Sequence, residues 1–189
     1  YGDHRDLHSF PTRRSSDLLR RLIWFIAKRL IIITSILGLM TIAFYFSMNA
    51  ANIYVIIKDG MAQRALTVMM DTDGEELHKY FSQAYLPLDK RLATMREGTN
   101  PYEPYQITGI DHRLRMEWMW AWPWEDMARA TITEEIPGID GRILSSWRAV
   151  TPQEQLSPPA WQSGRYDVVL IRESGQWHIR SMTFLGDYP

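Results

Sequence analysis

The chain has 189 residues, a formal net charge of −1 and no cysteine. The missing cysteine excludes a disulfide framework, a thiolate metal site and a lipoprotein anchor. From Lys58 onward there are 14 Lys/Arg against 19 Asp/Glu. A mildly acidic stretch without a basic stripe argues against nucleic-acid binding, which needs side chains that neutralise phosphates.

The opening Tyr1–Leu18 carries no apolar periodicity. Reverse-translated with suitable codons, it resembles a sequencing-library adapter from end to end, so residues 1–18 are expected to be an artefact of assembly. Setting them aside leaves the charge unchanged, because Arg5, Arg13 and Arg14 balance Asp3, Asp6 and Asp17.

A short basic segment follows at 19–29, holding Arg20, Arg21, Lys28 and Arg29. Next comes "LIIITSILGLMTIAFYFSM" (30–48), which has no charged residue. As a helix it would span about 28 Å, close to the hydrocarbon thickness of a bilayer. Trp24 and Phe25 flank one end, and Phe44, Tyr45 and Phe46 the other. Aromatic residues favour the headgroup depth, and Lys and Arg stay on the cytoplasmic side. The pattern predicts a single-pass anchor in the cytoplasmic membrane, with the N-terminus inside and 49–189 outside. A cleavable signal would need a small-x-small site, and Met48/Ala50 and Asn49/Ala51 are poor candidates.

Beyond the anchor, Ile53, Ile57, Met61, Ala65 and Val68 fall on one stripe and predict a continuing helix. In "DTDGEELHKYFSQAYL", Asp73 and Glu76 suggest a capping box for a second helix with Leu77, Tyr80, Phe81, Ala84 and Tyr85 on its apolar face. From Tyr105 the period becomes two. His112, Leu114, Met116, Trp118, Trp120, Trp122 and Trp124 share one face of a strand, with Arg113, Arg115 and Glu117 on the other. Ala128, Ala130, Ile132 and Ile136 do the same in the next strand.

A three-residue turn at 124–126 would pair Trp122 with Ala128, Trp120 with Ala130, Trp118 with Ile132 and Arg115 with Glu135. A slip of one residue would oppose Trp120 to Arg129 and expose the indoles. "PGIDGR" reads as a turn and "TPQEQLSPPAWQSG" as a proline-bearing connection. "RYDVVLIRE" and "QWHIRSMTFL" read as a hairpin closed by Ser174–Gly175.

Helices followed by long antiparallel strands predict an α+β fold. The ending "RYDVVLIRESGQWHIRSMTF" resembles the last hairpin of the nuclear-transport-factor-2-like superfamily, with Trp177 after the glycine-containing turn. That resemblance implies a cone of helices on a curved antiparallel sheet. The anchor and domain together resemble inner-membrane scaffold subunits of type IV secretion and conjugation systems. The function expected is therefore a non-enzymatic scaffold or interaction module of a bacterial envelope assembly, contacting the lipid bilayer and protein partners or a second copy of itself.

The tryptophan row has three readings: core filling, the wall of a pocket for an apolar ligand, or a patch on the membrane interface. The pocket reading makes Trp118, Trp120, Trp122 and His112 the ligand-lining candidates, and the protein a ligand-binding or sensing domain. An enzyme of the lyase or isomerase type, as the superfamily resemblance implies, would draw on Asp111, His112 and His178. Alternation points Asp111 and His112 to opposite faces, so no catalytic residue is assigned. His78, His112 and His178 have no ligand spacing, and no metal or cofactor is expected.

Overall fold

The computed structural model describes residues 13–148, 152 and 155–187. Residues 1–12 of the adapter-like stretch, and 151, 153 and 154 of the proline-bearing connection, lie outside them. The chain is α+β, a long N-terminal apolar helix followed by a domain of two antiparallel sheets. Helix α1 is Arg13–Met70. The chain divides into two compact units, Tyr1–Phe44 and Tyr45–Pro189.

In the first unit α1 is exposed throughout its apolar length, and it is long and apolar enough to cross a membrane. Lys28 Nζ lies 4.1 Å from the centre of the Trp24 ring and the Arg29 guanidinium 4.8 Å from that of Phe25. Both are pairs four residues apart, which a helix stacks on one face.

In the second unit the same helix becomes one-sided. Ile53, Ile57, Met61 and Ala65 are 0% exposed and Val68 is 2%, the stripe expected from the sequence. Asp71 (φ 52) ends the helix in the left-handed region, and Thr72 N–H donates to Thr67 O at 3.3 Å, closing the last turn. Asn100 Nδ2 donates to the Val68 carbonyl at 2.7 Å, supplying a partner that the helix end lacks.

The second helix expected at Asp73 is instead a 3₁₀ turn, Glu75–Lys79, with Gly74 (φ 73) at its start and no side-chain cap. Its apolar face is recruited differently. Leu77 and Phe81 are buried and Ala84 is exposed. Tyr80 O accepts from Ile179 N–H at 2.7 Å, and Ser82 N–H donates to Ile179 O at 2.9 Å. Backbone pairing with the sheet has displaced the helical turn. The true short helix is α2, Lys90–Arg96, whose N-cap Asp89 accepts from Arg91 N and Leu92 N.

Six strands follow: β1 Tyr105–Ile110, β2 Arg113–Trp120, β3 Met127–Glu135, β4 Ile139–Ile143, β5 Gly164–Glu173 and β6 Gln176–Gly186. The larger sheet has the order β2-β3-β5-β6, and β1 pairs with β4 alone. Ile139–Ile143, inside and after the stretch read as a turn, is thus a strand: Ile107 and Tyr105 supply partners at Gly141 and Ile143. The β5–β6 hairpin turns at Ser174 (φ 50) and Gly175 (φ 83), two left-handed residues, as a tight hairpin requires.

The β2–β3 register differs from the one expected. Met116 pairs with Ile132, then a bulge at Glu117 shifts the ladder so that Trp118 pairs with Thr131, Met119 with Ala130 and Trp120 with Arg129. One inserted residue reverses the side-chain parity that follows it. Leu114 and Met116 face inward before the bulge, and Met119 and Ala121 after it. The indoles are sent the other way, and Trp118 is 52% and Trp120 45% exposed. The inner face has a reason to refuse them. Ala128, Ala130, Val168 and Leu170 present a close-packed floor to α1, with each residue at most 1% exposed, and an indole there would hold helix and sheet apart.

Candidate functional site

Behind α2 the domain buries a polar cluster in an otherwise apolar core. Arg64 lies on the buried stripe of α1 and is 5% exposed. Its Nε donates to Asp89 Oδ2 at 2.6 Å and its Nη2 to Asp89 Oδ1 at 3.0 Å, a two-point pair. Tyr85 OH donates to Asp89 Oδ2 at 3.1 Å. Asp89 therefore serves two elements, capping α2 and holding α1.

The electrostatics follow from this enclosure. Burial alone would raise the Asp89 carboxyl, but the charge and hydrogen bonds of Arg64 and the N–H groups of Leu92 and Arg91 hold it below its ordinary value. Burial works against the Arg64 cation, and Asp89 outweighs it, raising its pKa. Burial, reinforced by the Asp89 charge, pushes the Tyr85 phenol up. Burial and then the Arg64 charge pull Arg91 down. Two guanidinium groups thus crowd one region of the domain.

Arg91 rests on the Trp161 ring, 3.7 Å from its centre, and donates from Nη2 to Gln162 O at 3.0 Å. On the inner face Trp161 Nε1 donates to Glu134 Oε2 at 3.3 Å, and His112 Nε2 lies 3.2 Å from Glu134 Oε1. Glu134 is 0% exposed.

A cavity of about 580 Å³ opens beside Arg64. Its polar wall is Arg64, Lys90, Arg91, Tyr85 and Tyr166, and its apolar wall includes Leu88, Met182 and Phe184. None of its lining residues carries a carboxylate.

Comparison with protein-family models, curated proteins and solved structures finds no match.

The residues singled out from the sequence are dispersed. His112 is enclosed against Glu134 on the inner face. Asp111, its neighbour, pairs outward with Arg113 at 2.6 Å. His178 lies opposite Ile171 on the last hairpin. Trp118, Trp120, Trp122 and Trp124 run along the edge strand β2 and the turn after it. Trp120 meets Trp122 edge-on at 5.1 Å, Trp122 stacks on Trp124 at 4.9 Å, and Phe46 meets Trp120 edge-on at 6.3 Å. None of the four tryptophans lines the cavity beside Arg64. Among the described residues no group of three His, Asp or Glu is placed to hold a metal ion.

In the sequence, Arg64 interrupts the apolar stripe of α1 between Met61 and Ala65. A charged residue at the centre of an apolar helical stripe needs a buried partner. "DKRLATM" at 89–95 likewise places an N-cap residue before good helix formers.

Proposed function

We propose that this chain is a membrane-anchored, non-enzymatic scaffold or interaction module of a bacterial envelope assembly, with its domain outside the cytoplasmic membrane. The observation that carries the reading is the filled interior. The fully buried Ile53, Ile57, Met61 and Ala65 share one core cluster with the buried Ala128, Ala130, Ile132, Val168, Leu170 and Ile179 of the sheet. With the space between α1 and the sheet packed in this way, the domain offers its surface to partners.

The element order and the Ser174–Gly175 turn followed by buried Trp177 support a nuclear-transport-factor-2-like cone for this domain. The charge-free run at 30–48 behind a basic flank supports the anchor and its direction. Phe46, in the last turn of that run, touches Trp120. The Trp120–Trp122–Trp124 cluster forms one aromatic edge with Phe46, and Trp118 extends that edge as a docking surface.

The test is a pair of reporters fused after Pro189, one active only on export and one active only in the cytoplasm, with a photo-crosslinking residue at Trp118. Signal from the exported reporter alone, with a discrete adduct at Trp118, is the expected result. Signal from the cytoplasmic reporter overturns the orientation, and crosslinking no greater at Trp118 than at exposed Arg180 overturns the docking role.

A further inference from the structure

The cavity beside Arg64 has a composition that the scaffold reading does not use. The domain around it carries a surplus of acidic residues, yet its wall gathers Arg64, Lys90 and Arg91 with no carboxylate. Asp89 neutralises Arg64 from behind, through Nε and Nη2. The third nitrogen, Nη1, is buried and has no hydrogen-bond partner. A buried guanidinium N–H without an acceptor is costly, and natural interiors rarely leave one so.

The positions of the other two cations add to this. Arg91 is fixed by Trp161 beneath it and by the Gln162 carbonyl, with the buried Glu134 carboxylate behind the indole offsetting part of its charge. The Arg64 charge acts against it, lowering its pKa after burial has done so. Lys90, next in the chain, is exposed at the rim. An anion in the cavity would relieve the repulsion between the two guanidinium groups. The phenol of Tyr166 is a protonated donor there, since burial raises it, whereas the Tyr85 proton is already given to Asp89.

We infer that the Arg64–Lys90–Arg91 cavity is a binding site for an organic oxyanion, a phosphate or carboxylate carried on an apolar body. The charged end meets the guanidinium groups, which suit planar oxyanions. The body lies against Leu88, Met182 and Phe184. A volume of about 580 Å³ falls in the range of small-molecule sites. The oxyanion has two natural sources, a free solute or a lipid headgroup.

Isothermal titration of the full chain in non-ionic detergent tests the inference with three probes: phenyl phosphate, phenol, and a short-chain phosphatidic acid below its micelle concentration. Saturable binding of phenyl phosphate but not phenol is expected, weakened roughly tenfold or more in Lys90→Gln/Arg91→Gln. Lys90→Glu, at an exposed position that leaves the Trp161 stack intact, should weaken it as well. Binding of phosphatidic acid well above phenyl phosphate assigns the site to a lipid headgroup, and the reverse assigns it to a solute. Absence of saturable binding by either anion overturns the inference. So does binding that Lys90→Glu leaves unchanged, or phenol binding as tightly as phenyl phosphate. The reporter fusions do not depend on this result, so the site and the proposed function can fail separately.

Discussion

Arg64 and Asp89, 25 residues apart, meet through two hydrogen bonds of 2.6 and 3.0 Å with almost no access to solvent. The pair ties α1 to the start of α2. Removing one member leaves the other charged, buried and unmatched. Arg64→Met should therefore destabilise the domain by about 3–5 kcal/mol. Arg64→Lys should recover little, because one ammonium cannot reproduce the two-point geometry. Denaturant unfolding of the full chain in detergent, followed by near-ultraviolet circular dichroism of the tryptophans, measures both.

The same pair sets a pH dependence. In the folded state the Asp89 carboxyl is held below its ordinary value. Its contribution is therefore present above about pH 4, the unfolded value, and is lost as pH falls through the folded one. Asp89→Asn should be less stable than the natural chain at neutral pH, and the gap should close as pH is lowered below about 4. Tyr85, raised by burial, acts at the other end. Its contribution is intact below about pH 10 and declines above it. Unfolding midpoints measured across pH check both limbs. A gap that persists unchanged at low pH would contradict the assignment to Asp89.

The β2–β3 register can be tested chemically, because the chain has no cysteine of its own. Trp120→Cys with Arg129→Cys places the two residues directly opposite each other, so oxidation should join them. Trp120→Cys with Ala130→Cys, the pairing that simple alternation suggests, should crosslink far less. Trp118→Ala should change stability by no more than about 0.5 kcal/mol, as for an exposed side chain. Trp177→Ala, at a buried position, should cost about 3–5 kcal/mol. Equal costs at the two sites would favour the unbulged register.

Gly60 offers a test of helix approach. In the middle of a helix, alanine normally gains about 1 kcal/mol over glycine. Here a Cβ would stand 2.9 Å from Tyr80 Cβ and 3.3 Å from Ile179 Cδ1. Tyr80 is held by its backbone bond to Ile179 and cannot easily retreat. Gly60→Ala should therefore lower the thermal midpoint, with a net loss of about 1–2 kcal/mol. A raised midpoint would mean that the helix does not lie this close.

Local pattern determined much of this protein. A charge-free run behind a basic flank, an apolar stripe from Ile53 to Val68, and two alternating strands around Ser174–Gly175 are each written within one segment, and the structure keeps the helix, its buried face and the hairpin. The segments that came out differently are those whose partners are distant. Glu117 forms a bulge because Thr133 Oγ1 at 2.6 Å and Arg165 Nε at 2.8 Å engage its carboxylate across the sheet, while α1 leaves no depth for indoles on the inner face. Residues 139–143 extend because β1 offers them an edge, and the turn after Gly74 stays short because β6 claims Tyr80 and Ser82. Arg64 found Asp89, and the cationic cavity took shape around them, only once α1 and α2 had packed together. Periodicity specifies which face of an element is apolar. Which residue stands opposite, and which charge shares a cavity, depend on contacts between segments far apart in the chain, where a single inserted residue reverses a face and a single buried charge selects its partner.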